Sequence, residues 1–276
     1  MSSEAGRLHE SQQLGTHIAE ILRPSTWSEA VELYDASPNA VPVAGATDLL
    51  LDLSRTPDTQ GSGAILLDLW GLPDCSQITI SDNDVVIGCG VTHNQIISSP
   101  NLDSALDILR MACLEIGSHQ LRNRATVVGN IVTASPANDT ISALVALDAS
   151  VLIESIGGRR EVPISNFFTG FRQTVLAQSE LVRSIRIPKW TSQTVGTWFK
   201  VGNRTAQAIS VVHAGIVLEF DEATSLITRA DIAIGSVSET IGVSKSLSEY
   251  LVGKNLDAET SAEAARVAAR EISPID

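Results

Sequence analysis

Apolar residues along this chain follow two rhythms, one of helices and one of strands. In Thr26-Trp27-Ser28-Glu29-Ala30-Val31-Glu32-Leu33-Tyr34 they recur at helical spacing behind a Ser or Thr cap, with Glu as its partner, which predicts a short amphipathic helix. After the turn-forming Ser37-Pro38-Asn39, residues 40–44 are apolar, stop at Gly45, and give way to a run, 48–54, that can start a helix. The unit reads strand, tight loop, helix. Residues 65–70 and 85–90 read as further strands, the second entered through Ser81-Asp82-Asn83-Asp84. Leu102, Ala105, Leu106, Leu109, Ala112, Cys113 and Ile116 form one stripe and predict a regular helix over 102–116. A polar, basic stretch follows, Ser118-His119-Gln120-Leu121-Arg122-Asn123-Arg124, and then an apolar run, 125–131, that reads as a strand with Gly129 inside it. Residues 140–149 return to helix.

Residues 151–156 and 159–164 flank Gly157-Gly158 as a hairpin, and 180–188 form a strand that Pro188 ends. Beyond it, strands at 197–201, 211–220 and 226–234 lead to two helices, 243–252 and 256–272. No fixed-period repeat is visible, which excludes solenoids and propellers. The pattern predicts a mixed α+β architecture with a break near Pro188.

The 276 residues, 43% of them hydrophobic, suffice for a substantial core. A formal net charge of −13 with scattered Lys and Arg argues against a nucleic-acid partner, which needs clustered cations. The longest apolar runs, such as 209–220, are broken by Ser210, His213 and Glu219, too short for a membrane span. The first 20 residues show no signal-peptide pattern, so a cytoplasmic protein is expected. Cys75, Cys89 and Cys113 share no CxxC spacing and read as reduced structural thiols. His93, His119 and His213 lack metal-ligand spacing, and no Ser-His-Asp order, HExxH, Walker loop or GxGxxG is present.

Two segments carry chemistry. In Val41-Pro42-Val43-Ala44-Gly45-Ala46-Thr47-Asp48-Leu49 a strand ends in small residues, so backbone N–H groups can approach an anion at the start of a helix. Taken alone it is a pyrophosphate site in outline or an ordinary turn capped by Thr47 or Asp48. In Arg124-Ala125-Thr126-Val127-Val128-Gly129-Asn130-Ile131-Val132-Thr133-Ala134-Ser135-Pro136-Ala137-Asn138-Asp139-Thr140 the glycine suggests a bulge or close backbone approach, and a Ser-Pro turn precedes a capped helix. A bulged strand and a plain turn are the alternative.

Together the two segments resemble the paired flavin motifs of the medium subunit of the molybdenum hydroxylase family, which includes xanthine dehydrogenase and carbon monoxide dehydrogenase. The family's Ala-Gly-Gly-Thr-Asp-Leu is Ala44-Gly45-Ala46-Thr47-Asp48-Leu49 here. Its Arg-Asn-Arg-Gly-Thr-Ile-Gly-Gly-Asn, continuing to Ser-Pro and Asp, is Arg122-Asn123-Arg124-Ala125-Thr126-Val127-Val128-Gly129-Asn130, then Ser135-Pro136 and Asp139, with Leu144 and Asp148 in step. Glu180-Leu181-Val182, Ile187-Pro188, Phe199-Lys200, Arg204 and Ile209-Ser210 extend the likeness, which runs from Arg23-Pro24 to Ser273-Pro274-Ile275-Asp276. It implies a PCMH-type FAD-binding domain over 23–188, in subdomains of about 23–71 and 72–188. An N-terminal arm, 1–22, would precede it, and a C-terminal antiparallel sheet with helices, 189–276, would follow. Where the family continues with another helical stretch this chain stops at Asp276, which reads as a truncation or a disordered tail.

The resemblance further implies an electron-transfer flavoprotein without catalytic or metal-ligating residues of its own. Its partners would be a molybdopterin-binding large subunit and a small subunit with two-iron two-sulfur clusters, in a dimer of heterotrimers. FAD would take electrons from those clusters and pass them to NAD, oxygen or another acceptor. Pro42, Val43, Ala44, Gly45, Ala46, Thr47, Asp48 and Leu49 would wrap its pyrophosphate and ribityl, opposite Thr126, Gly129, Asn130, Val132, Ser135, Asn138 and Asp139. Ile116 would contact the adenine side and Val182 another wall. Lys200 would be a cation near the flavin, against the alternative of a solvated surface lysine, and Ile209 would lie near the isoalloxazine. Ala46, Ala125 and Val128 depart from the family's usual glycines; a position with φ > 0 there would weaken binding. Two other readings stand beside this one: a self-contained flavin oxidase or reductase of the same superfamily, and a non-catalytic interaction subunit that has lost FAD.

Overall fold

The structure, a computed structural model, describes residues 18–55, 63–100, 102, 106–204 and 207–273. Strand β1 (Ile18–Leu22) runs parallel to β3 (Ala64–Asp68), which also pairs in parallel with β2 (Val41–Val43) in a small sheet ordered β1-β3-β2. The end of the expected arm, 18–22, is thus a sheet strand; residues 1–17 lie outside the described residues. Helix α1 (Trp27–Ala36) connects β1 to β2 and is capped by Thr26, whose side chain accepts from the Glu29 N–H. Helix α2 (Leu49–Arg55) follows β2 and contains no buried residue despite four apolar side chains in seven.

A second sheet has five antiparallel strands in the order β4-β5-β10-β6-β7: β4 (Ile78–Ile80), β5 (Asp84–Gly88), β6 (Ser150–Ser155), β7 (Gly158–Pro163) and β10 (Leu181–Pro188). The expected hairpin forms, but its turn lies one residue earlier than read, at Ile156-Gly157, and Gly158 begins β7 opposite Ser155; β4 is short and mostly exposed. Between β5 and β6 lie α3 (His93–Ser98), α4 (Asp107–Glu115), α5 (His119–Arg122), α6 (Val127–Thr133) and α7 (Asp139–Ala146). The expected 102–116 helix is formed over Asp107–Glu115; Ala105 lies outside the described residues. A two-stranded hairpin, β8 (Phe168–Gly170) and β9 (Gln173–Thr174), precedes β10.

The expected strand at 125–131 is a helix instead. Thr126 caps α6 through its hydroxyl, 2.9 Å from the Gly129 N–H, and Val127, Val128 and Ile131 are buried on its inward face. Core packing therefore overrides the weak helix propensity of β-branched residues. There is no bulge at Gly129, which lies in the first turn of α6.

The third sheet is an antiparallel meander of β11 (Thr194–Gly202), β12 (Ser210–Phe220) and β13 (Ile227–Gly235). Its inward face packs on α4 and α7, and Trp198, Val217 and Ala233 join the core of the second sheet. On its other face Leu218, Ile232 and Ala230 pack under α8 (Lys245–Leu251) and α9 (Ala258–Glu271). Every residue of α7 is buried, so this helix joins the first 190 residues to the last sheet. At about 25 cal/mol per Å² of apolar surface, each fully buried Leu or Ile on it contributes roughly 1.5–3 kcal/mol. The Ser273–Asp276 ending lies, from residue 274 on, outside the described residues.

Candidate functional site

The loop after β2 turns tightly because Ala46 adopts φ +65°, in the left-handed region, and its carbonyl accepts from the Leu50 N–H at 3.3 Å. Gly45 is required for another reason. A Cβ there would stand 2.2 Å from the Arg124 carbonyl oxygen and 3.0 Å from the Ala125 Cα, so the first segment packs its backbone directly against the second. Residues 41–46 remain half-exposed, and the neighbouring Leu50 and Leu51 of α2 are exposed, an apolar surface with no cover among the described residues.

The second segment is held from several sides. The Arg122 guanidinium donates to the carbonyls of Leu114 and Ile116 at 3.0 Å each, and that of Arg124 lies over the Trp70 ring, 3.7 Å from its centroid. Asn138 donates through Nδ2 to the Asn130 carbonyl at 2.7 Å, and Thr140 through its hydroxyl to Asn130 Oδ1 at 2.5 Å, which ties α6 to the start of α7. Ala134 ends α6 at φ +51°, and Ser135 Oγ accepts from the Ala137 N–H in the turn between the helices.

Asp139, first residue of α7, is buried between two strands of the third sheet. Lys200 of β11 donates from Nζ to Oδ2 at 2.6 Å, both side chains being 6% exposed, and Ser210 of β12 donates from Oγ to Oδ1 at 2.5 Å. Lys200 is therefore not the solvated surface lysine of the alternative reading. One turn along α7, Ser142 Oγ accepts from Trp198 Nε1 at 2.9 Å and lies 2.7 Å from His213 Nδ1 and 3.3 Å from the Asp139 carbonyl, while His213 Nε2 faces the Pro136 carbonyl at 3.3 Å. The Pro136 carbonyl can only accept, which puts a proton on Nε2. Burial, the largest influence, keeps the His213 pKa low, opposed by Asp139 and the Pro136 carbonyl. Strand glycines make room: a Cβ on Gly215 would lie 2.5 Å from the Ser142 carbonyl, and one on Gly235 2.1 Å from the His213 ring.

Of the residues singled out in the sequence, Pro42 and Val43 end β2, Ala44 to Asp48 form the loop and Leu49 begins α2. Thr126 caps α6, Gly129, Asn130 and Val132 lie on it, and Ser135, Asn138 and Asp139 form the turn into α7. Ile116 is half-buried at the end of α4, Val182 is buried on β10 in the core, and Ile209 is 80% exposed just before β12. Of the three departures from glycine, Ala46 alone has positive φ; Val128 is a buried helical residue. Trp198, Ser142 and Trp70 escaped the sequence reading, although Gly215 and Gly235 inside strands signalled that α7 and His213 approach there.

Comparison with known proteins agrees with this layout. Residues 16–190 match the family model of the FAD binding domain in molybdopterin dehydrogenase, and 197–276 that of the CO dehydrogenase flavoprotein C-terminal domain. The chain belongs to this family of FAD-binding subunits of molybdenum hydroxylases. It is 31% identical over 247 residues to the nicotinate dehydrogenase FAD-subunit of Eubacterium barkeri, covering 87% of this chain and 82% of that one. It is 29% identical to the carbon monoxide dehydrogenase medium chain of Hydrogenophaga pseudoflava, over 76% of this chain and 72% of that one. A solved carbon monoxide dehydrogenase from Hydrogenophaga pseudoflava, lacking the Mo-pyranopterin moiety, superposes with a TM-score of 0.86 at 27% identity, over 95% of this chain and 89% of the matched one. No helix among the described residues is long and apolar enough to cross a membrane.

Proposed function

We propose that this chain binds FAD between its two motif segments and relays electrons from two-iron two-sulfur clusters of a partner subunit to NAD, oxygen or another acceptor. The observation that carries this reading is the direct packing of Gly45 on Arg124, which makes one site of two segments about 80 residues apart. The surroundings fit a dinucleotide: small residues and backbone N–H groups in the 43–49 loop, short half-exposed polar side chains at Ser135 and Asn138, and uncovered apolar surface on Leu50 and Leu51, while buried Thr126 caps the helix that carries Gly129 and Asn130. FAD, when bound, supplies the exchange between single-electron carriers and a two-electron acceptor.

The roles of the chain's own residues follow. Backbone N–H groups of the 43–49 loop would hold the pyrophosphate, Val132 and Ile116 would supply apolar contact that excludes water, and Val182 would back the site from the core. Lys200 and Asp139 form a buried, mutually neutralising pair at 2.6 Å that would hold the edge of the second segment in a fixed place beside the cofactor. We assign residues 23–188 to the FAD-binding domain and 189–276 to the C-terminal domain. The molybdopterin and iron–sulfur subunits are its partners in a cytoplasmic dimer of heterotrimers, and the substrate is chosen on the molybdopterin subunit.

Purification of the chain, alone and co-expressed with the molybdopterin and iron–sulfur subunits, tests this. The expected protein is yellow, carries about one FAD per chain, and is reduced by substrate only in the complex. A colourless chain that takes up no FAD overturns the reading. Substrate turnover by the isolated chain favours a self-contained flavoenzyme.

A further inference from the structure

The first motif segment is short of positive charge. Residues 41–49 contain Asp48 and no Lys or Arg, and Asp52 follows on the next turn, where its N–H donates to the Asp48 carbonyl at 3.0 Å. A pyrophosphate brought to this loop adds further negative charge in a chain of formal net charge −13. Arg122, Arg124 and Lys200, which border the second segment, are engaged by the Leu114 and Ile116 carbonyls, the Trp70 ring and Asp139 respectively.

Arg172 is placed differently. It occupies the tip of the β8–β9 hairpin, and its backbone N–H donates to the Ala134 carbonyl at 3.2 Å, which pins the tip to the second motif segment. Its φ is +53°, an arrangement an arginine adopts only when its surroundings enforce it. From there the side chain reaches across to α2, where Nη1 stands 3.9 Å from Asp52 Oδ2, with the two side chains 52% and 56% exposed. That is the long limit of an ion pair and leaves the guanidinium accessible to a stronger anion. Neighbouring Phe171, 53% exposed, lies at the same tip.

We propose that Arg172 is a cofactor-binding residue: its guanidinium exchanges Asp52 for the pyrophosphate oxygens of the dinucleotide, so that the hairpin spans both motif segments. A planar fork of N–H donors suits two phosphate oxygens, and the pinned backbone means that only the side chain must reorient. The inference rests on the flavin reading above.

The test is equilibrium binding to the full-length apoprotein, measured by quenching of FAD fluorescence and by displacement with ADP, which carries the pyrophosphate without the isoalloxazine. Arg172→Gln is expected to weaken FAD and ADP by about tenfold, which is 1.4 kcal/mol, and to flatten the dependence of affinity on salt. Arg172→Lys should retain most of the affinity, and Asp52→Asn should leave it unchanged or tighter. Because the Asp52 pair is exposed, the thermal midpoint of the apoprotein should hardly move in any of them. An Arg172→Gln chain that binds FAD within about twofold of the native chain, with the same salt dependence, overturns the assignment and leaves the flavin reading standing. Failure of the native chain to bind FAD sinks both.

Discussion

Replacing Lys200 with Met tests whether the Asp139 pair is as buried as its geometry indicates. The substitution keeps the volume of the side chain but leaves the buried Asp139 carboxylate, among the described residues, with Ser210 as its remaining side-chain donor. Breaking a buried pair by removing one partner costs about 3–5 kcal/mol, because the remaining charge is uncompensated. The hydroxyl of Ser210 continues to donate to Oδ1, which puts the expected loss near the lower end, about 3 kcal/mol. For a chain of this size that lowers the thermal midpoint by roughly 6–12 °C. The double substitution Asp139→Asn with Lys200→Met removes both charges and should recover part of the loss, with a coupling of about 1–3 kcal/mol in a double-mutant cycle. Urea and thermal unfolding of the apoprotein, followed by circular dichroism at low and high salt, give the values. A single Lys200→Met loss below about 1 kcal/mol, with the native midpoint sensitive to salt, would mean a solvated pair and refute the argument.

Gly45→Ala should lose about 1–3 kcal/mol and weaken FAD binding, since its Cβ meets a backbone oxygen at 2.2 Å and both loops must move; unchanged unfolding and affinity would contradict the close packing. Ala46→Gly relieves a left-handed residue at φ +65°, worth roughly 1–2 kcal/mol, but frees the unfolded chain by roughly 0.5–1 kcal/mol, so a net gain of about 0.5 kcal/mol is expected in denaturant melts. His93 is fully buried, its Nε2 has no partner among the described residues, and burial, helped by Arg122, lowers its pKa from 6.5 to about 4. The unfolded chain then binds the extra proton first, so stability is full above pH 6.5 and declines as pH falls toward 4, by about 3 kcal/mol in total. His93→Gln should flatten that part of a pH series of urea melts, and an unchanged slope would exclude His93 as its source.

Much of the architecture was legible in the order of residues, because local chemistry specified it. The strand that stops before Gly45, the hairpin at the two glycines and the strand over 211–220 each follow from local chemistry: β2 ends at Val43, the hairpin turns one residue early at Ile156-Gly157, and β12 spans Ser210–Phe220. The paired motifs, quoted residue by residue, were enough to point to the family. The run 125–131 was not legible in the same way. An apolar stretch that short has no period long enough to separate strand from helix, and the choice fell to the Thr126 cap and to burial of Val127, Val128 and Ile131. Nor could sequence pair Asp139 with Lys200, 61 residues on, or Gly45 with Arg124, or Arg172 with Asp52. Such contacts depend on how elements far apart in the chain pack together, with α7 against β12 and β13 and the 43–49 loop against Arg124, and burial there decides which charges are neutralised and which histidine stays neutral.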